Sequence, residues 1–335
     1  MEFNYFLPVN IVFGSGKVLE TGELTRPYGK KALIVTGKSS AKKSGLYDKV
    51  NDSLKAAGLE TALFDKVSQN PLTTTAQEGA DFAKANELGI KTCQLCCWDL
   101  KLMTDETADM ITKLSEKFDV EITAFWCGWS GPVIWDFKSG PNTLGLAPKE
   151  YRFIRMKELM GGLDFAKKIN VKDVVTHAGF IPENPSSTEY FGMAEVIKHI
   201  AEYAKKNEQN FLFETGQETP VTLMRLIEDV GTGNLGVNLD PANLLMYGNA
   251  NPVDAVDIFG KYIKGVHGKD GMYPTDGYHL GEEKRIGDGR VNYPLFIERL
   301  KAVGYEGAIT IEREISGEKQ IEDIIYAKEY LEELI

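Results

Sequence analysis

Four residues in the second half of the chain, Glu214, Asp240, His267 and Glu312, are of the types that bind divalent cations and move protons. They stand 26, 27 and 45 residues apart, and each follows a short apolar run, FLF, GVNL, KGV and ITI in turn. Such runs read as strands, and the first two intervals match one strand-plus-helix repeat, so each residue steps one strand around the rim of a parallel sheet. Their side chains can then converge. Three carboxylates and an imidazole aimed at one small volume repel one another unless a cation lies between them. Mostly oxygen donors with one nitrogen point to Mn²⁺ first, with Mg²⁺, Co²⁺ and Zn²⁺ also permitted. Taken singly, each is an ordinary polar residue at a strand end; four in register are not.

The elements that would position them begin near residue 90. Apolar runs at 90–97, 120–126, 173–179, 211–214, 235–240, 262–267 and 308–312 alternate with amphipathic stretches, which gives seven strands. The expected class is α/β, a (β/α)8 TIM barrel over residues 88–335, whose active site gathers at the C-terminal ends of the strands. The eighth strand is expected within 128–150 or from the segment before residue 88; otherwise the barrel is irregular. Thr219-Pro220 and Asn251-Pro252 mark helix starts, Gly260 and Gly304 helix ends, and Ile321, Ile324, Ile325, Leu331 and Ile335 the apolar face of a final helix. The six glycines from Gly268 to Gly289 lie in a long polar connection that reads as a lid.

Further polar residues near strand ends are candidate substrate contacts: His177, Asn243, Glu218 and Lys269, with Glu314 behind Glu312. His177 reads equally well as a satisfied core histidine. Trp126, with Trp129 and Trp135, can wall a sugar pocket by stacking. Cys93 and Cys96 write C-x-x-C, but they lie in an apolar run with no second pair, so they and Cys97 and Cys127 are expected to be small buried hydrophobes.

A formal charge of -11, with no basic face, argues against nucleic acid as a partner. No run reaches the ~18 apolar residues of a membrane span and no signal peptide is legible, so the expectation is a cytoplasmic enzyme acting on a small-molecule sugar or polyol. A homo-oligomer is left open.

The runs FLFETGQE, VNLDPANL, GVHGKD and GYEGAITIERE resemble the xylose isomerase-like superfamily of sugar isomerases and epimerases, which also contains inosose dehydratases and the endonuclease IV type of repair enzyme. The resemblance covers residues 88–335. It implies that Glu214, Asp240, His267 and Glu312 hold the metal, and that Glu214 and Glu312 also exchange a proton with the substrate through an enediolate, as an isomerase or epimerase does. An inosose-type dehydratase is the alternative, since it begins with the same proton abstraction. Asn243 stands where ketose epimerases often carry a substrate-binding histidine, so the substrate, a sugar or a sugar phosphate, is left unnamed. With four histidines in the chain, the zinc cluster of the endonuclease is not matched, and a non-catalytic sugar-binding module needs no opposed glutamates.

Residues 1–87 carry a βαβα pattern, with strands at 31–37 and 60–65 and helices at 46–57 and 73–85, read as a partial Rossmann-like segment. FLPVNIVFGSGKV, KKALIVTGKSSAKKSGLYDKV and NPLTTTAQEGADFAKAN resemble the opening of an iron-dependent alcohol dehydrogenase. The family's GGGS phosphate-binding turn and iron-binding histidines are absent, leaving only the Thr36-to-Ser40 turn and Asn70-Pro71 of its cofactor contacts. Neither cofactor binding nor dehydrogenase activity is expected here, and the abrupt joint implies a fusion.

Overall fold

The computed structural model describes residues 12, 14, 16–37, 40–67 and 88–335. The chain divides into two compact units, Met1–Asp81 and Phe82–Ile335. In the first, β1 (Lys31–Gly37) pairs in parallel with β2 (Glu60–Val67) through a crossover helix, Leu46–Ala56, and Ile34, Leu54 and Leu59 bury against one another. The helix expected at 73–85 lies outside the described residues, as do Asn70-Pro71 and part of the 36–40 turn.

The second unit is a TIM barrel of seven parallel strands. They are β3 (Thr92–Cys97), β4 (Glu121–Cys127), β5 (Asp173–His177), β6 (Asn210–Glu214), β7 (Leu235–Leu239), β8 (Ile263–Gly268) and, after the short β9 (Asp270–Gly271) and β10 (Glu283–Lys284), β11 (Ile309–Ile311). Strands β3 to β8 pair in sequence order and β11 pairs with β8. Registration puts His177 opposite Glu214 and Thr310 opposite His267, so the chemically active residues reach one rim. The strands are short, and buried Val174, Phe211, Phe213, Val237 and Val266 pack against the surrounding helices in one continuous core.

The barrel is the irregular one that the sequence left open. Among the described residues no eighth strand exists, and β3 and β11 meet without forming a ladder. Residues 128–148, where it was sought, contain one 3-10 turn, Gly140–Asn142. A fully buried arginine on helix Lys149–Lys168 orders this stretch instead. Arg155 donates to the carbonyls of Ser130, Pro132, Thr143 and Gly145, taking up acceptors that a strand would offer its neighbour.

The helix starts stand as read. Thr219 Oγ1 accepts from the Thr222 amide and Asn251 Oδ1 from the Val253 amide, each with proline next in the chain. Gly304 follows a helix at φ +78. Gly260 differs: its φ of -48 is helical and continues into a 3-10 turn. A Cβ there would meet Val303 at 2.7 Å, so close packing explains this glycine. Among the described residues no helix is long and apolar enough to cross a membrane.

Candidate active site

Glu214 ends β6, Asp240 follows β7, His267 lies in β8 and Glu312 follows β11. One ligand atom from each falls within 4.8 Å of the others. His267 Nδ1 faces all three carboxylates, 2.6 Å from Glu312 Oε2, 3.4 Å from Asp240 Oδ2 and 3.6 Å from Glu214 Oε1. Asp240 is split between two tasks. Its Oδ1 caps helix Pro241–Met246 by accepting from the Asn243 amide at 2.8 Å, while Oδ2 turns to the cluster. This donor set fits a divalent cation, because buried carboxylates crowded so closely require positive charge among them.

The surrounding charges show the same demand. Burial opposes ionisation of His267, but Glu312 and Glu214 outweigh it and hold the ring protonated well above its ordinary range. Lys269, 2% exposed, puts Nζ 2.8 Å from Glu312 Oε1, 3.3 Å from Glu314 Oε2 and 3.6 Å from Asp240 Oδ2. Burial raises the Glu312 carboxyl, yet Lys269 and His267 together pull it well below the carboxylate range, whereas burial dominates at Glu214 and raises it. Glu214 also accepts from Trp126 Nε1 at Oε2 and from Asn243 Nδ2 at Oε1, the latter at 3.1 Å.

His177 is buried, but it is not simply a core residue. Its Nδ1 donates to the Glu214 carbonyl at 3.1 Å, which leaves Nε2 as the bare nitrogen, 3.5 Å from Glu214 Oε1. Burial pushes its pKa down to about 4, so the ring is neutral at physiological pH.

These groups line a cavity of about 450 Å³ that also receives Trp98, Trp135, Gln217 and Tyr247. Of the expected contacts, His177, Asn243, Lys269, Trp126, Trp135 and Glu314 reach it. Glu218 does not: its carboxylate is buried, and burial outweighs the backbone amides of Gly216, Gln217 and Glu218 beside it and pushes its pKa up to about 8. Trp129 packs with Ala124, Leu144, Val175 and Leu212 instead. Cys127 is buried as expected, whereas Cys96 is exposed and lines the cavity. The residues that sequence reasoning missed are Gln94, Trp98, Gln217 and Tyr247. Gln94 and Asn238 had a readable signal, as amides inside otherwise apolar strands.

The connection expected to be a lid is more ordered than a solvated loop. Strands β9 and β10 pair antiparallel, and the Asp270 carboxylate accepts the amides of Gly271, Gly287, Gly289 and Val291. Beyond this clamp, Leu280 reaches the cavity and Tyr278 is 79% exposed.

Residues 82–334 match the family described as xylose isomerase-like TIM barrel. The chain belongs to that family. A xylose isomerase domain protein from Planctomyces limnophilus is 31% identical, with a TM-score of 0.71 over 76% of this chain and 90% of that one. A xylose isomerase-like barrel from Mycobacterium smegmatis, solved in complex with magnesium, shares the fold at 16% identity and a TM-score of 0.58, covering 78% of this chain and 88% of its own. MJ1311 of Methanocaldococcus jannaschii, an uncharacterized protein, is 29% identical over 196 residues, 55% of this chain and 63% of its own length. Residues 8–90 match the iron-containing alcohol dehydrogenase family. There the probable NADH-dependent butanol dehydrogenase 1 of Bacillus subtilis is 37% identical over 87 residues, 26% of this chain but 22% of the dehydrogenase. The chain thus spans under a quarter of that enzyme and under two thirds of MJ1311.

Proposed function

We propose that residues 88–335 form a metal-dependent isomerase or epimerase of a small sugar, moving a carbon-bound proton through an enediolate. The observation that carries this reading is the convergence of Glu214, Asp240, His267 and Glu312 on one point in a cavity able to admit a sugar. When bound there, a divalent ion such as Mn²⁺ or Mg²⁺ supplies Lewis acidity to a carbonyl and its neighbouring hydroxyl. Glu214 and Glu312 stand three strands apart in the sheet, and in this reading one takes the proton and the other returns it on the opposite face. Trp126 and Asn243 fix the Glu214 carboxylate, Lys269 fixes that of Glu312, and His177 offers its bare Nε2 to a substrate hydroxyl.

One contact favours a second reading, a dehydratase. The Lys269 ammonium lies beside Glu312 and can give a proton to a departing hydroxyl. Both reactions begin with the same abstraction. The test is NMR of ketoses and inososes in D₂O with the Mn²⁺-loaded protein. Metal-dependent exchange of a carbon-bound hydrogen is expected, with epimer formed for the first reading and loss of water for the second. No exchange with any substrate of either class overturns both.

A further inference from the structure

The cavity wall carries information about charge. Among the described residues lining it, Lys269 is the one ammonium or guanidinium group, and three carboxylates already surround its Nζ. Glu214, Glu312 and Glu314 line the same space. A phosphate entering here finds no unpaired cation and several anions, which disfavours it strongly at low local dielectric. The neutral groups tell the complementary story. Gln217 is 4% exposed, and among the described residues its amide and the buried Tyr247 hydroxyl face each other with no other partner. Buried amides and hydroxyls left unsatisfied are costly unless a ligand meets them, and sugar hydroxyls donate and accept as these groups require.

The mouth adds size. Trp98 and Trp135 line the cavity yet remain 43% and 40% exposed, their ring centroids 6.4 Å apart at 81°. Inside them, Trp126 lies 4.8 Å from Trp98 and His177 lies 5.0 Å from Trp135, so the mouth rings are braced rather than loose. Two braced, half-open indoles at the rim offer stacking faces to a ring that lies outside the reacting sugar.

We propose that the substrate is an uncharged glycoside, not a sugar phosphate: its hydroxyls meet Gln217 and Tyr247, and a second ring, sugar or aryl, stacks on Trp98 and Trp135. This rests on the sugar-transforming reading above. The test is binding to the Mg²⁺-loaded full-length protein, by calorimetry and tryptophan fluorescence, of D-glucose, phenyl β-D-glucoside, cellobiose and glucose 6-phosphate. The two ring-bearing probes should bind about tenfold tighter than glucose, the order expected for one good stacking contact. Glucose 6-phosphate should bind no tighter than glucose. W98A combined with W135A should bring the affinity ratio of each ring-bearing probe to glucose down to about one, whatever its effect on glucose itself, whereas Q217L should weaken every neutral probe by about tenfold and leave that ratio in place. Tightest binding by the phosphate, no gain from a second ring, or a gain that survives the double variant overturns the proposal. Failure of the reaction itself reads out separately, as ring-dependent binding without exchange of carbon-bound hydrogen.

Discussion

Gln94 Oε1 lies 2.9 Å from His267 Nε2, so the first strand of the barrel reaches across to the ring whose other nitrogen faces the carboxylates. A cation on Nδ1 requires the ring proton on Nε2, and Gln94 Oε1 accepts it there. Asn238 Oδ1 accepts from Gln94 Nε2 at 2.9 Å and holds that amide in place. Asn238 Nδ2, 2.8 Å from Nε2, serves the opposite tautomer, so Gln94 is the partner that favours metal binding.

Replacing Gln94 by Leu should therefore weaken Mn²⁺ binding about 10- to 100-fold, the usual consequence of losing the partner behind a ligating histidine. Calorimetric titration checks this, with circular dichroism to show an unchanged fold. Unchanged affinity in a folded variant would show that the ring needs no such support.

Asp240→Asn should abolish binding of the roughly one divalent ion expected per chain, since it removes one of three carboxylate charges. Elemental analysis of the purified variant reads this directly, and full occupancy would sink the site.

Glu312→Gln keeps an oxygen donor but removes the base. Metal should remain while turnover falls by ~10²- to 10⁴-fold, and Glu214→Gln should behave alike. Near-normal turnover in both variants with metal bound would remove the two glutamates from the mechanism.

Glu218 supplies a pH test away from the cluster. Its carboxyl, raised from 4.5 to about 8 by burial, stays protonated when folded but ionises on unfolding. The stability this gives is complete below 4.5 and is lost as pH rises through 8. Glu218→Gln should match the parent near pH 4.5 and melt several degrees higher near pH 8. Parallel melting curves at both values would mean that Glu218 is solvated.

Arg155→Met leaves four carbonyls without their donor and should cost about 3–5 kcal/mol, lowering Tm by roughly 10 °C. A Tm within 2 °C of the parent would show that water replaces the guanidinium.

The candidate ligands were legible because each ended an apolar run, and the barrel because those runs recur at βα spacing. Residues 128–148 were not, because their order comes from Arg155, a residue distant in sequence from most of what it binds. Charge alone marks an arginine as exposed, and nothing local signals that four carbonyls await it. Trp98 and Tyr247 were missed for a related reason: an aromatic residue just past a strand or helix end looks the same whether it fills core or borders a cavity. Glu218 failed in the other direction, since a strand-end position brought it near the rim but its side chain turned inward.

The unlaced seam between β3 and β11 gives the barrel wall a weakest line. Gln94 stands on one side of it and Glu312 just past the other, and the bond from Gln94 to His267 spans it like a stitch. Thermal breathing should start along this line, where the described strands share no ladder. A cation drawing Glu312 toward Glu214 and Asp240 would tighten the seam from within. Site occupancy should then be readable as slower amide exchange in strands that themselves supply no ligand.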